Sequence, residues 1–449
     1  MMKELNSQGD SFQILKQLEH ILQCDTLIDE VGFIHPSQFT TLNEDTGGLQ
    51  HPSVNNVPHS ADEINNSNLS DVNILENSNT IFWNRDHKLA ISTQVLLPLY
   101  TAAKHAFKIA DRQYKMLLNL ARKADISVDE TAGNSSTVSE DFLESEVMTH
   151  SKALLLLSCD FATAWNSRKL VLSTKQNFPL FMDELLFSAL ILSYSPKSEH
   201  AWNHRRWVIK TISGTYGALE EIAEKESKLV EKIAEKSKMN YRAWNHRCWL
   251  ISYLTRRQVL DELKKSRKWA ELHVADNCCF HYRRQLLLRM LEQSFSKHGP
   301  VDPLLDIYHF WKEELHWNQM LIKRYVGREA LWVHRRFLSQ CWIKHFTLVV
   351  QDGACHYEDD THVKDGIGVF MDVEIQLFRS CLTIPDNDFE DWHTQAVLAA
   401  AYILWISKQI PPSEGRVEVQ EKLKEFGDLK TLLIKLCPEK TLLWDGLIG

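Results

Sequence analysis

Asn240-Tyr241-Arg242-Ala243-Trp244-Asn245-His246-Arg247 decides how this chain is read, because its second half keeps returning. The other copies are Ala164-Trp165-Asn166-Ser167-Arg168, Ala201-Trp202-Asn203-His204-Arg205, Cys279-Phe280-His281-Tyr282-Arg283 and Leu331-Trp332-Val333-His334-Arg335. The aromatic positions step by 37, 42, 36 and 52 residues, within or near the period of helix-pair solenoids. An aromatic and an Arg three residues apart lie on one face of a helix. Each phrase is preceded by an apolar-periodic segment, at 142–157, 180–192, 219–233, 259–274 and 304–325. The pattern predicts pairs of helices, with strand signals nearly absent.

Working outward, the residue four before the aromatic is Phe161, Ser198, Asn240, Asp276 and Arg328. The middle three are of the type that caps a helix N-terminus, so the second helix of each pair is expected to start there. Five and six positions past the aromatic the columns are mostly apolar: Leu170, Trp207, Trp249, Gln285 and Phe337, then Val171, Val208, Leu250, Leu286 and Leu338. The rings of Trp165, Trp202, Trp244, Phe280 and Trp332 are expected to fill seams between helices. Arg168, Arg205, Arg247, Arg283 and Arg335 are expected to reach a carbonyl or carboxylate of a neighbouring pair. Residues repeated in every unit build the scaffold, and His204, His246 and His334 fit hydrogen-bonded structural roles.

Flanking segments are less regular. Residues 11–23 and 88–120 have helical spacing, and 392–405 and 421–436 resume it. Residues 43–80, rich in Asn, Ser and Asp, read as a disordered linker. The expected organisation is an N-terminal helical segment at 1–42, that linker, and a helical-repeat domain at 81–449. The last carries polar inserts near 125–140 and 351–365.

The 449 residues have a formal net charge of −8 and a pI near 6.2, which gives no nucleic-acid footprint. The nine Cys show no disulfide-like spacing, and the first residues lack the apolar core of a signal peptide, so a reducing, cytoplasmic setting is expected. The longest apolar run, 396–406, is too short to span a bilayer and reads as a buried helix. Cys278, Cys279 and His281 lack paired ligand spacing, and Cys279 occupies the small-residue column, so they do not read as a zinc site. Cys355, His356 and His362 in the acidic insert are a slightly better weak-metal candidate, but a solvated loop is the expected account. No metal is assigned to this chain.

The phrases resemble the repeat of protein prenyltransferase α subunits, Asn-Tyr-x-x-Trp-x-x-Arg, which residues 240–247 match without a gap. Tetratricopeptide arrays share the architecture but lack this signature. The resemblance covers five units and about 200 residues of the sequence. It implies an all-α superhelical crescent, a solenoid of helix pairs wrapped around a β subunit. In such an enzyme the β subunit holds zinc, the lipid pocket and most of the acceptor groove. The reaction transfers farnesyl or geranylgeranyl from its diphosphate to a cysteine thiolate near the C-terminus of an acceptor protein, and zinc lowers the pKa of that thiol.

By the same resemblance, Lys197, five residues before Trp202, takes the place of a lysine that touches the isoprenoid diphosphate. Tyr241, three before Trp244, takes the place of a tyrosine at the same site, and Arg242 stands where the family often has histidine. A fixed cation suits the task because charge accumulates on the diphosphate oxygens as the carbon–oxygen bond breaks. Glu199 departs from the pattern: either it turns away from a bound diphosphate or the site is weakened. A non-catalytic helical scaffold or prenylation adaptor is the alternative.

Overall fold

A computed structural model describes residues 2–44, 81–124, 136–217, 219–295, 303–346, 366–382 and 390–410, with a few isolated positions beyond. The expected linker at 43–80, apart from Asn43 and Glu44 at the end of a helix, most of the insert at 125–140, the acidic insert with Cys355, His356 and His362, and most of 421–436 lie outside the described residues. The chain divides into two compact units, Met1–Ala243 and Trp244–Gly449.

In the first unit, α1 (Met2–Cys24) is followed by strand β1 (Glu30–Ile34) and a short helix α2 (Phe39–Glu44). Strands β2 (Phe82–Arg85) and β3 (Lys88–Ser92) precede the long helix α3 (Leu96–Ala124). Then come α4 (Ser136–Leu157), α5 (Ala162–Lys175), α6 (Phe178–Tyr194), α7 (Glu199–Thr215) and α8 (Leu219–Lys236). The division falls within α9 (Tyr241–Leu250). The second unit continues with α10 (Arg256–Leu272), α11 (Asn277–Phe295), α12 (Pro303–Arg324), α13 (Glu329–His345), α14 (Gly366–Leu382) and α15 (Glu390–Ser407).

The repeat region is all-α, in tandem helix pairs. Every apolar segment read from the sequence is the first helix of a pair, and every phrase lies on the second. The caps are where the columns put them: Ser198 Oγ accepts the Ala201 amide, Asn240 Oδ1 the Ala243 amide and Asp276 Oδ1 the Cys278 amide. Phe161 and Arg328 cap nothing through their side chains. The run at 396–406 lies inside α15, largely buried.

A three-stranded sheet corrects the reading of the N-terminal flank. β3 is central, parallel to β1 and antiparallel to β2, with Glu30 opposite Lys88 and Phe82 opposite Ile91. Residues 88–92 are therefore strand, and the helix that follows begins only at Leu96. Both strands of the hairpin are short, and Leu89, Ala90, Ile91 and Ser92 are all buried, so no period-two alternation marked them. The connection is a two-residue turn with Asp86 and His87 at φ of 50° and 61°, whose twist suits a hairpin. The parallel partner β1 lies in the segment read as helical and packs against α6, with the Phe33 ring edge-on to Tyr194 at 5.7 Å.

Candidate functional site

The repeated side chains form a buried ladder. The five aromatics and five arginines of the phrases are each at most 5% exposed. Arg205 forks onto Glu226 on the following first helix, Nε to Oε2 at 2.6 Å and Nη2 to Oε1 at 2.5 Å. Its remaining nitrogen, Nη1, donates back to its own first helix, to the Leu185 carbonyl at 2.5 Å and Ser188 Oγ at 2.9 Å. Arg283 repeats this with Glu314, the Leu263 carbonyl and Ser266, and Arg168 with Glu184, the Met148 carbonyl and Ser151. Arg247 forks onto Glu262, and Arg335 onto Glu374 and the Leu315 carbonyl. Each carboxylate therefore pins one pair to the next through charge-assisted bonds.

The position two after the aromatic supplies a second donor. His204 Nε2 lies 2.8 Å from Glu184, His334 Nε2 3.2 Å from Glu314, and the Tyr282 hydroxyl donates to Glu262 at 2.6 Å. Tyr402 on α15 does the same to Glu374 at 2.7 Å, which extends the ladder into a pair whose phrase is otherwise lost. Burial holds His204 and His334 below the ordinary imidazole pKa, against the pull of their glutamates. Their Nδ1 atoms are buried without a partner, as suits a neutral ring donating from Nε2. Burial alone would raise Glu184 and Glu314, but Arg168 with His204 and Arg283 with His334 outweigh it and hold both at about 2. This lattice is structural: its arginines and glutamates are buried and spent on one another.

The glutamates escaped the sequence reading, although their signal was present. Glu184, Glu226, Glu262 and Glu314 each stand 18 residues before the next aromatic, whereas the separation between an arginine and its glutamate runs from 15 to 39. The spacing within a pair is thus fixed, and the length from one pair to the next varies, in the second helices as well as in the loops.

The predicted diphosphate residues lie together at one edge of the first unit. Lys197 is exposed in the turn between α6 and α7, directly before the cap Ser198. The Pro196 carbonyl accepts the Trp202 indole at 3.0 Å and Asn240 Nδ2 at 2.8 Å, so the cap of one repeat is tied to the turn of the previous one. That tie brings Tyr241 and Arg242, which open α9, beside Lys197. Arg242 donates to the Lys197 carbonyl, and its Nη2 lies 3.2 Å from Glu199 Oε2. Glu199 thus turns toward the basic cluster. The pair is solvent-exposed, with Tyr241 67% exposed beside it. Among the described residues, the Lys197 ammonium has no hydrogen bond or ion pair, and no group of three or more His, Cys, Asp or Glu side chains could hold a metal ion.

The family model for the protein prenyltransferase alpha subunit repeat matches residues 181–212, 223–254 and 259–290. Each match opens three residues before a ladder glutamate and runs through the arginine of the following phrase. These three segments are similar to the protein prenyltransferase alpha subunit repeat. Curated proteins similar to this chain include human protein prenyltransferase alpha subunit repeat-containing protein 1, 32% identical over 229 residues, covering 41% of this chain and 56% of that protein. The 1-B protein of Xenopus laevis is 29% identical over 275 residues, covering 52% and 63%. The Danio rerio protein of the same name as the human one is 31% identical over 229 residues, covering 42% and 53%. The chain thus spans between about half and two thirds of the length of the relatives it matches. No helix among the described residues is long and apolar enough to cross a membrane.

Proposed function

We propose that this chain is the α-like subunit of a heterodimeric cytoplasmic protein prenyltransferase, inactive alone. With a β subunit it would transfer a farnesyl or geranylgeranyl group from the diphosphate to a cysteine near an acceptor protein's C-terminus. The observation that carries the reading is the meeting of the Lys197 turn with the start of α9, where Tyr241 and Arg242 lie, held by the Asn240–Pro196 tie between consecutive repeats. In this reading Lys197, with its ammonium uncommitted, and the Tyr241 hydroxyl face the departing diphosphate and stabilise the charge it gains. Arg242 orients the Lys197 turn through its carbonyl. Zinc, carried by the β subunit, would hold the acceptor cysteine as its thiolate.

A second reading, a non-catalytic scaffold or adaptor, draws on Glu199. Its carboxylate neutralises Arg242 and places a negative charge beside the anion site. The two separate in single-turnover assays of the chain co-expressed with each candidate β subunit. The catalytic reading expects Lys197→Ala to slow transfer by about 10- to 100-fold, the usual loss for one transition-state contact, with assembly intact on size exclusion. Unchanged rates in both Lys197→Ala and Tyr241→Phe, or failure to co-elute with every β subunit, would leave the scaffold.

A further inference from the structure

Next to the Lys197 turn, whose Pro196 is among its lining residues, the first unit contains an apolar cleft of about 210 Å³. Residues 26–29, between α1 and β1, pass over α6 and α8 and leave a gap beneath them. On α6 the cleft is lined by Leu186, Ala189, Leu190 and Ser193, one continuous stripe of a helix. Leu229 and Ile233 of α8 face it, and Leu27 and Ile28 form the roof. Leu27 is 56% and Leu186 50% exposed, so large apolar surface stands open to solvent at the rim. A smaller recess of about 80 Å³ continues the cleft past Ile28, Leu186 and Leu190 toward Lys152. Apolar cavities of roughly 150 Å³ already take up small hydrocarbons.

The polar groups are concentrated at the ends. Lys232 and Lys236, one turn apart on α8, stand at the mouth with Asp29. Lys232 has no ion-pair partner among the described residues. Lys236 reaches Glu30 only at 4.0 Å, while Glu30 lies closer to Lys88, at 3.2 Å. The recess holds Lys152, Asp25 and Asp183. There, Asp25 is engaged by His87 at 2.9 Å, and Lys152 donates to the Leu22 carbonyl at 3.2 Å. The mouth therefore keeps cationic capacity next to an apolar trough.

We infer that this cleft is a binding site for an anionic single-chain amphiphile, its apolar chain lying between α6, α8 and the 26–29 strap and its carboxylate or phosphate head at Lys232 and Lys236. The inference does not depend on the catalytic reading. The test is isothermal titration of the full chain with decanoate, decyl phosphate and decanol, each below its micellar concentration. The expected result is one site that binds decanoate or decyl phosphate at least about tenfold tighter than decanol, the tighter anion naming the head group. Lys232→Glu with Lys236→Glu should remove that preference while leaving decanol binding in place. Ala189→Trp, which fills the trough from a half-buried position, should abolish binding of all three with an unchanged circular dichroism spectrum. Ser193→Trp, one turn further along α6, does the same should the first variant not fold. Absence of binding by both anions, decanol binding as tightly as they do, or full binding by a folded Trp variant would overturn the assignment.

Discussion

Replacing Glu184 by Gln tests whether the ladder is what fixes one helix pair to the next. Glu184 is 2% exposed and accepts from both Nε and Nη2 of Arg168 and from His204 Nε2. An amide of the same shape has one acceptor oxygen and places an NH2 where a donor already points, so one of the three donors is orphaned. Arg168, itself 3% exposed, keeps its Met148 and Ser151 bonds but loses its counter-charge. Leaving a buried cation unpaired costs about 3–5 kcal/mol, a large part of the roughly 5–15 kcal/mol of a typical domain. In a repeat array the loss falls on the affected interface. It should appear as a lowered denaturant midpoint, with amide-exchange protection lost first in α5 and α6. Glu184→Leu with Arg168→Met should recover part of the loss, because two apolar side chains replace the pair without a stranded charge, while His204 Nε2 is left without its acceptor. Glu199→Gln, at the exposed pair with Arg242, should cost less than about 1 kcal/mol. A Glu184→Gln cost below about 1 kcal/mol, or one equal to that of Glu199→Gln, would refute the reasoning.

Acid should weaken the fold in two stages. His204 and His334 are held neutral below their unfolded value of 6.5, so the unfolded chain takes up protons first and stability begins to fall below about pH 6.5. Glu184 and Glu314, at about 2 against 4.5 unfolded, contribute stability that is complete above 4.5 and lost as pH falls toward 2, giving a steeper second decline in urea midpoints measured from pH 7 to 2. A single decline confined to below pH 4.5 would contradict the histidine assignment. Gly327→Ala should destabilise the second unit by more than about 1 kcal/mol in a thermal melt, because φ is +76° and a Cβ there would stand 2.9 Å from the Asp391 backbone oxygen. Gly217→Ala, at φ +67° with nothing within 4 Å, should incur only the backbone strain and so cost less.

The sequence by itself determined the helix pairs, the caps at Ser198, Asn240 and Asp276, and the buried Trp and Arg columns, because these depend on spacing within one helix or one turn. It also indicated, through a resemblance rather than through geometry, that Lys197, Tyr241 and Arg242 act together. Only the tertiary structure identified the glutamates that answer the arginines, since segments of varying length separate the partners, and only packing restores the register. The same holds for the sheet: β1 and β3 are parallel neighbours that lie more than fifty residues apart in the chain, and the buried run Leu89–Ser92 of β3 carries no alternation to read. Glu199 shows the limit most directly. Its charge was visible in the sequence, but whether it avoids or engages Arg242 depends on how the turn before α7 meets the start of α9, and that is set by the bond from Asn240 to the Pro196 carbonyl.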